Sequence, residues 1–209
     1  MPRPQTFTTV ENIPLVGGSL CLDFVNTTGA RASSAPRERL TCYSDLVTWS
    51  ERAGILDAKT AARLRRAAAA RDEDAANALR YARKIREDLH ALLSVLVDRR
   101  RPPAVAVARV AAHWRRARRT QELVLDGSGV KIRSVMNDTN LAGPISPIVT
   151  SAIGLLTSDR LALMKRCAEC DWLYLDTSKN GKRRWCKSTC GNRARSRERY
   201  ERQAMMIAP

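Results

Sequence analysis

The chain has 209 residues, with 37 Lys and Arg against 21 Asp and Glu and a formal net charge of +16. Hydrophobic residues make up 44%, enough for a core in one to two domains, so wholesale disorder is excluded. No apolar run approaches the roughly 18 residues of a membrane helix, so no membrane partner is expected.

Residues 1–14 read as an extended leader without a hydrophobic signal core, and a cytoplasmic location is expected. The stretch Leu15–Arg31 opens on the turn pair Gly17-Gly18 and continues as LCLDFVNT. That run is too short to separate helix from strand. Asp23 and Asn26 are polar positions inside it, with Thr27 beside them. Buried polar groups need partners, so these three are candidate ligand-binding residues; capping or internal hydrogen bonding is the alternative.

Helices follow. Ser44 is positioned to cap a helix over Asp45–Ala53, which Gly54 ends. Asp57 caps a second, from Ala58 to about Ala70. A third runs from about Asp74 to Arg100, with Leu79, Ala82, Ile85, Leu89, Leu92, Leu93 and Leu96 recurring every three or four positions before Pro102-Pro103 breaks it. A fourth spans about Pro103–Arg118. Gln121–Val135 then changes to two β-type runs around Asp126-Gly127-Ser128-Gly129, a hairpin signal. Ser146-Pro147 predicts a cap and first helical residue for a fifth helix to about Leu156. Trp49, Trp114, His90 and His113 read as core or solvent-edge residues, and no nucleophile elbow, P-loop or histidine–carboxylate set is visible. An enzyme is not expected.

The chemistry concentrates near the C-terminus. Four cysteines are spaced Cys167-x2-Cys170-x15-Cys186-x3-Cys190, while Cys21 and Cys42 stand apart and read as buried thiols. Two close thiol pairs match the four-thiolate zinc pattern: each short gap lets one turn present two sulfurs to a tetrahedral ion. This favours one structural Zn²⁺ over an iron–sulfur cluster, a disulfide pair or a redox Cys-x-x-Cys. Four protein ligands leave no open coordination position, which disfavours catalytic zinc. Asp171–Asp176 is expected as a first strand, Lys182–Trp185 as the returning strand and the segment after Cys190 as a helix. The predicted fold is thus a mainly α N-terminal domain with a small β-hairpin, residues 1–158, and a treble-clef-like zinc finger of knuckle, hairpin and helix, residues 159–209.

From Arg160 to Gln203 there are 13 Lys and Arg against 5 Asp and Glu, a local net of +8. Such a block in an ordered segment points to a polyanion. At about 100° per residue, Cys190, Arg193, Ala194, Arg197 and Tyr200 share the side toward zinc and hairpin. Arg195, Arg199 and Arg202 fall on the opposite side, and Lys179, Lys182, Arg183 and Arg184 add a second basic cluster. These cations and Arg193 are the candidate nucleic-acid contacts, with Arg193 equally placed for a structural role.

Cys190-Gly191-Asn192-Arg193, preceded by DWLYLDTSKNGKRRWC, resembles the CGNR zinc finger. LCLDFVNT and DLVTWSERAGIL (Asp45–Leu56) resemble its usual partner, the ABATE domain, so that the likeness spans essentially the whole chain. The compact CAEC knuckle departs from relatives with a longer insertion there. The resemblance implies a stress-linked transcription regulator, with a finger for double-stranded DNA and a helical domain that senses a small-molecule effector. RNA, or a place on the ribosome, is the alternative: the finger would serve equally, with Trp172 or Trp185 stacking on bases if exposed. Target sequence, effector and oligomeric state are not encoded in these motifs.

Overall fold

Helix α4 (Asp72–Val97) organises the N-terminal part. Asp72, Glu73 and Asp74 place negative charge at its positive end, and Leu79, Ala82, Ile85, Leu89, Leu92 and Leu93 form its buried stripe. Around it pack α1 (Leu20–Val25), α2 (Tyr43–Arg52), α3 (Ala58–Ala69) and α5 (Ala104–Ala117), while α6 (Ile145–Leu156) closes over α1 and α5. The computed structural model describes residues 8–31, 33–137 and 140–207, with side chains to Gln203.

Several boundaries differ from expectation, each for a local reason. The ambiguous run is the helix α1. The leader is packed from Thr8 onward: Val10 and Ile13 are buried, and Arg52 donates to their carbonyls at 2.5 and 2.9 Å. Residues 1–7 lie outside the described residues. Helix α2 is capped at Cys42, not Ser44, because the Asp45 carboxylate accepts the Thr41 and Cys42 amides at 2.6 and 3.0 Å. Cys42 is therefore exposed; Cys21 is buried as expected. Asp57 caps α3, accepting the Thr60 amide at 2.7 Å. Helix α4 stops at Val97, before the prolines, since Arg99 adopts a left-handed φ of 58°. Ser146 lies inside α6 and donates to the Ala117 carbonyl at 3.1 Å, tying α6 to α5.

Three two-stranded antiparallel sheets complete the fold among the described residues. β1 (Thr28–Gly29) pairs with β2 (Arg37–Glu38), and Glu38 accepts from the buried Arg86 of α4, at 2.7 Å in one contact. β3 (Gln121–Asp126) and β4 (Gly129–Ser134) form the predicted hairpin, its turn using a left-handed Gly127. Leu123, Leu125, Val130 and Ile132 stand exposed on one of its faces.

The third sheet corrects the expected finger topology. β6 (Leu173–Leu175) pairs with β5 (Met164–Arg166), which precedes the first cysteine pair; residues 182–185 form no strand. The hairpin is thus built on either side of the first knuckle. Asp176 explains why. Its carboxylate accepts from Lys165 Nζ at 2.6 Å, Ser178 Oγ at 2.5 Å and the Arg183 amide at 2.9 Å. These donors hold its carboxyl well below the usual carboxylate range and pin the 177–183 loop against β5, leaving no room for a returning strand. α7 (Ser188–Ile207) follows. The buried apolar residues form one continuous cluster from Val10 to Cys190, so Trp172, Leu173 and Leu175 share a core with Phe24 and Trp49.

Candidate metal centre and nucleic-acid interface

Between β5 and β6 the chain reverses over Cys167–Trp172. The Cys167 amide bonds the Trp172 carbonyl at 2.9 Å, the Asp171 amide bonds the Cys167 carbonyl at 3.1 Å, and Asp171 takes a left-handed φ of 61°. Asp tolerates that conformation better than most residues. The turn aims Cys167 and Cys170 at the first turn of α7, where the Cys190 amide bonds the Lys187 carbonyl at 3.2 Å.

The four sulfurs lie within 4.8 Å of one another. Cys170–Cys186 is 3.6 Å, and Cys186–Cys190 and Cys190–Cys170 are each 3.7 Å. A tetrahedron with Zn–S bonds of about 2.3 Å has edges of about 3.8 Å, so the donor set fits one Zn²⁺. Two of the thiols pull in opposite directions: Cys167, and then burial, push Cys170 up, whereas hydrogen bonds from Cys170 and Cys186 hold Cys167 far below a free thiol. A shared cation favours the thiolate form of its ligands. Bound there, zinc would supply a rigid crosslink between knuckle and helix.

The rest of the motif serves this joint. A Cβ at Gly191 would sit 3.1 Å from the Trp185 ring, so glycine lets α7 lie directly on the indole. Arg184 and Arg195 flank the same ring, at 5.3 and 5.7 Å from its centroid. Arg195 also donates to Asn192 Oδ1 at 2.6 Å, so it is folded back and not splayed outward. Glu169, between the first two cysteines, binds Arg197 at 2.8 Å and lies 3.8 Å from Arg193. The sequence reading missed Glu169. Its signal was the acidic residue inside the knuckle opposite arginines four apart on the zinc-facing side of α7.

The candidate contacts divide accordingly. Arg183 is spent internally: its guanidinium donates to the Trp185 and Cys186 carbonyls, at 2.9 and 2.5 Å, and stacks 4.4 Å over Tyr174. Lys179, Lys182, Arg184, Arg199 and Arg202 are exposed. Tyr200, expected against the zinc side, is instead 74% exposed because α7 extends past the hairpin. Trp172 is buried and Trp185 half-buried.

The proposed ligand trio is committed inside the fold. Asn26 acts as a strand in miniature: its Nδ2 donates to the Leu173 carbonyl at 2.9 Å and its Oδ1 accepts the Leu173 amide at 3.0 Å. Thr27 donates to the Phe24 carbonyl at 2.7 Å and accepts from Arg86 at 3.1 Å. Asp23 accepts the Gly17 amide at 2.7 Å. Asn26 and Thr27 are buried in these contacts, and Asp23 is half-buried. Burial raises the Asp23 carboxyl to about 6 from 3.8. A raised acid stabilises the fold below its unfolded value and loses that contribution as pH rises. Between about pH 4 and pH 6 stability should therefore fall by about 2 kcal/mol, and Asp23→Asn should flatten that slope in denaturation series across this range.

His113, read as a core or solvent-edge residue, is in the core and meets a carboxylate that the sequence does not show beside it. His113 of α5 is buried with Nε2 2.8 Å from Asp88 of α4, and Tyr81 lies 3.4 Å from its Nδ1. Twenty-five residues of sequence hid this pair. Asp88 further binds Lys84 at 2.9 Å, so the group is an interhelical tie.

Fold and centre together define a mostly helical protein whose C-terminal segment is a four-cysteine zinc finger. The chain belongs to the ABATE family, described as "Putative stress-induced transcription regulator", which matches residues 18–159; the CGNR zinc finger matches residues 164–203. No curated protein sequence matches the chain. Among the described residues no helix is long and apolar enough to cross a membrane.

Proposed function

We propose that the protein is a zinc-dependent regulator that binds duplex DNA through the exposed side of α7 and the 177–184 loop, with residues 1–158 responding to an effector and no catalytic activity of its own. One observation carries this: Lys179, Lys182, Arg184, Arg199 and Arg202 are exposed cations around a helix whose first turn is fixed by the metal. A rigid basic helix matches a groove and its phosphates.

Affinity for duplex DNA should fall steeply with salt. Replacing Arg199 and Arg202 together with alanine should lower the slope of log affinity against log salt by up to about 2, roughly one per lost phosphate contact. Fluorescence anisotropy over a salt series measures this, with zinc content checking that the finger remains folded. An unchanged slope, or no duplex binding at low salt, would remove the proposal. RNA remains the second reading on one observation, the exposed Tyr200 ring. Preference for single-stranded RNA over duplex DNA, abolished in Tyr200→Ala, would select it. Burial of Trp172 argues the other way.

A further inference from the structure

A cleft of about 630 Å³ opens where the β1–β2 loop faces the zinc finger. That is the size of a small-molecule site. Arg37 and Arg39 come from the N-terminal side, Lys187 and Arg193 from the finger. The acidic residues on its wall are Glu169 and Asp171, and Glu169 is already engaged by Arg197 and Arg193.

Arg39 is the unusual member. It is only 9% exposed, yet among the described residues no carboxylate pairs with it. Its guanidinium donates to the Thr8 and Thr27 carbonyls, at 3.0 and 3.2 Å, and to Thr8 Oγ1 at 2.9 Å. These neutral acceptors use three of five donors, and the negative groups acting on the charge are Glu38, its sequence neighbour, and the Cys170 sulfur on the cleft wall. A buried guanidinium with no carboxylate in direct contact gains when an anion joins it. The surroundings are built around that group. A Cβ at Gly29 would lie 2.9 Å from Arg39 Nη1, so the glycine lets the guanidinium pack directly on the β1 backbone. Arg39 and Lys187 converge on the buried Trp172 ring, at 5.6 and 5.4 Å from its centroid. Among the described residues, two of the three non-glycine positions with left-handed backbone, Ala30 and Asp171, also line this cleft. Such strain gathers where function requires a fixed shape.

We infer that the cleft binds a small organic oxyanion carrying two or more negative charges, as phosphate or carboxylate groups, bridging Arg37 and Arg39 to Lys187 and Arg193. The inference rests on the effector-responsive reading and supplies its ligand class and location. The bound anion holds the finger against the β1–β2 loop and so couples the finger to the N-terminal part.

Titration calorimetry of the zinc-loaded full chain with inorganic phosphate, at constant ionic strength and without DNA, tests this. Saturable one-site binding is expected. Arg37→Ala with Lys187→Ala should weaken it at least tenfold at unchanged zinc content, and Arg199→Ala with Arg202→Ala should leave it unaltered. Absence of saturable heat would overturn the inference and leave these cations as counter-charges to the thiolates. Equal binding by the Arg37/Lys187 variant would overturn it as non-specific. If that variant instead lost DNA affinity tenfold in phosphate-free buffer, the cleft would belong to the DNA backbone, which also overturns it. Phosphate binding in a chain with no DNA affinity would sink the regulator reading and leave the anion site standing.

Discussion

Cys190→Ser is expected to release the zinc and destabilise far more of the chain than the finger. Structural zinc contributes about 10–16 kcal/mol of apparent binding free energy, and folding of the site is linked to it. Cys190 caps the buried cluster that also contains Trp172, Leu173 and Phe24, so loss of the knuckle–helix joint exposes part of the shared core. Zinc per chain should drop from about one to near zero. Thermal unfolding followed by circular dichroism should begin at much lower temperature, and chelator treatment of the unaltered protein should reproduce both effects. Full zinc retention, or an unshifted transition after zinc loss, would show that the sulfurs do not form the joint described.

Asn26→Ala should produce the largest loss of any single change remote from the metal. The amide side chain accepts from the Leu173 amide and donates to the Leu173 carbonyl, both facing α1. Its removal leaves two buried backbone groups unpaired, at about 1–3 kcal/mol each. The melting temperature should fall by roughly 5–15 °C for a chain of this size. Asn26→Asp keeps the acceptor for the Leu173 amide but loses the donor, and should fall between the two. Differential scanning calorimetry at saturating zinc measures the series. A loss under about 1 kcal/mol in Asn26→Ala would mean that water replaces the amide, contrary to the burial of this contact.

Asn26 also shows where sequence reasoning stopped. A polar residue inside LCLDFVNT signalled a buried hydrogen-bonding demand, but its partner lies 147 positions away. Without that distance, a ligand and a strand backbone look alike. Arg183 gives the same lesson on the surface: it counts as a basic residue in sequence, yet two carbonyls within three residues of it and the Tyr174 ring hold its guanidinium inward. Ser44 and Ser146 suit caps by type, but the Asp45 carboxylate takes the amides at the start of α2 and the Ser146 hydroxyl donates to the Ala117 carbonyl instead.

What the sequence determined by itself was local. Cysteine spacing fixes which sulfurs can share an ion, 3.6-residue periodicity fixes α4, and a Gly-containing turn fixes the β3–β4 hairpin, because each depends on residues a few bonds apart. Tertiary structure alone decided that the finger's strand partner lies before the knuckle, that His113 meets Asp88, and that Arg39 and Lys187 close on one indole. Those outcomes depend on which buried polar groups satisfy one another across long loops. Such pairing is settled by packing geometry in the low-dielectric interior, where an unpaired group is expensive, and no short-range pattern encodes it.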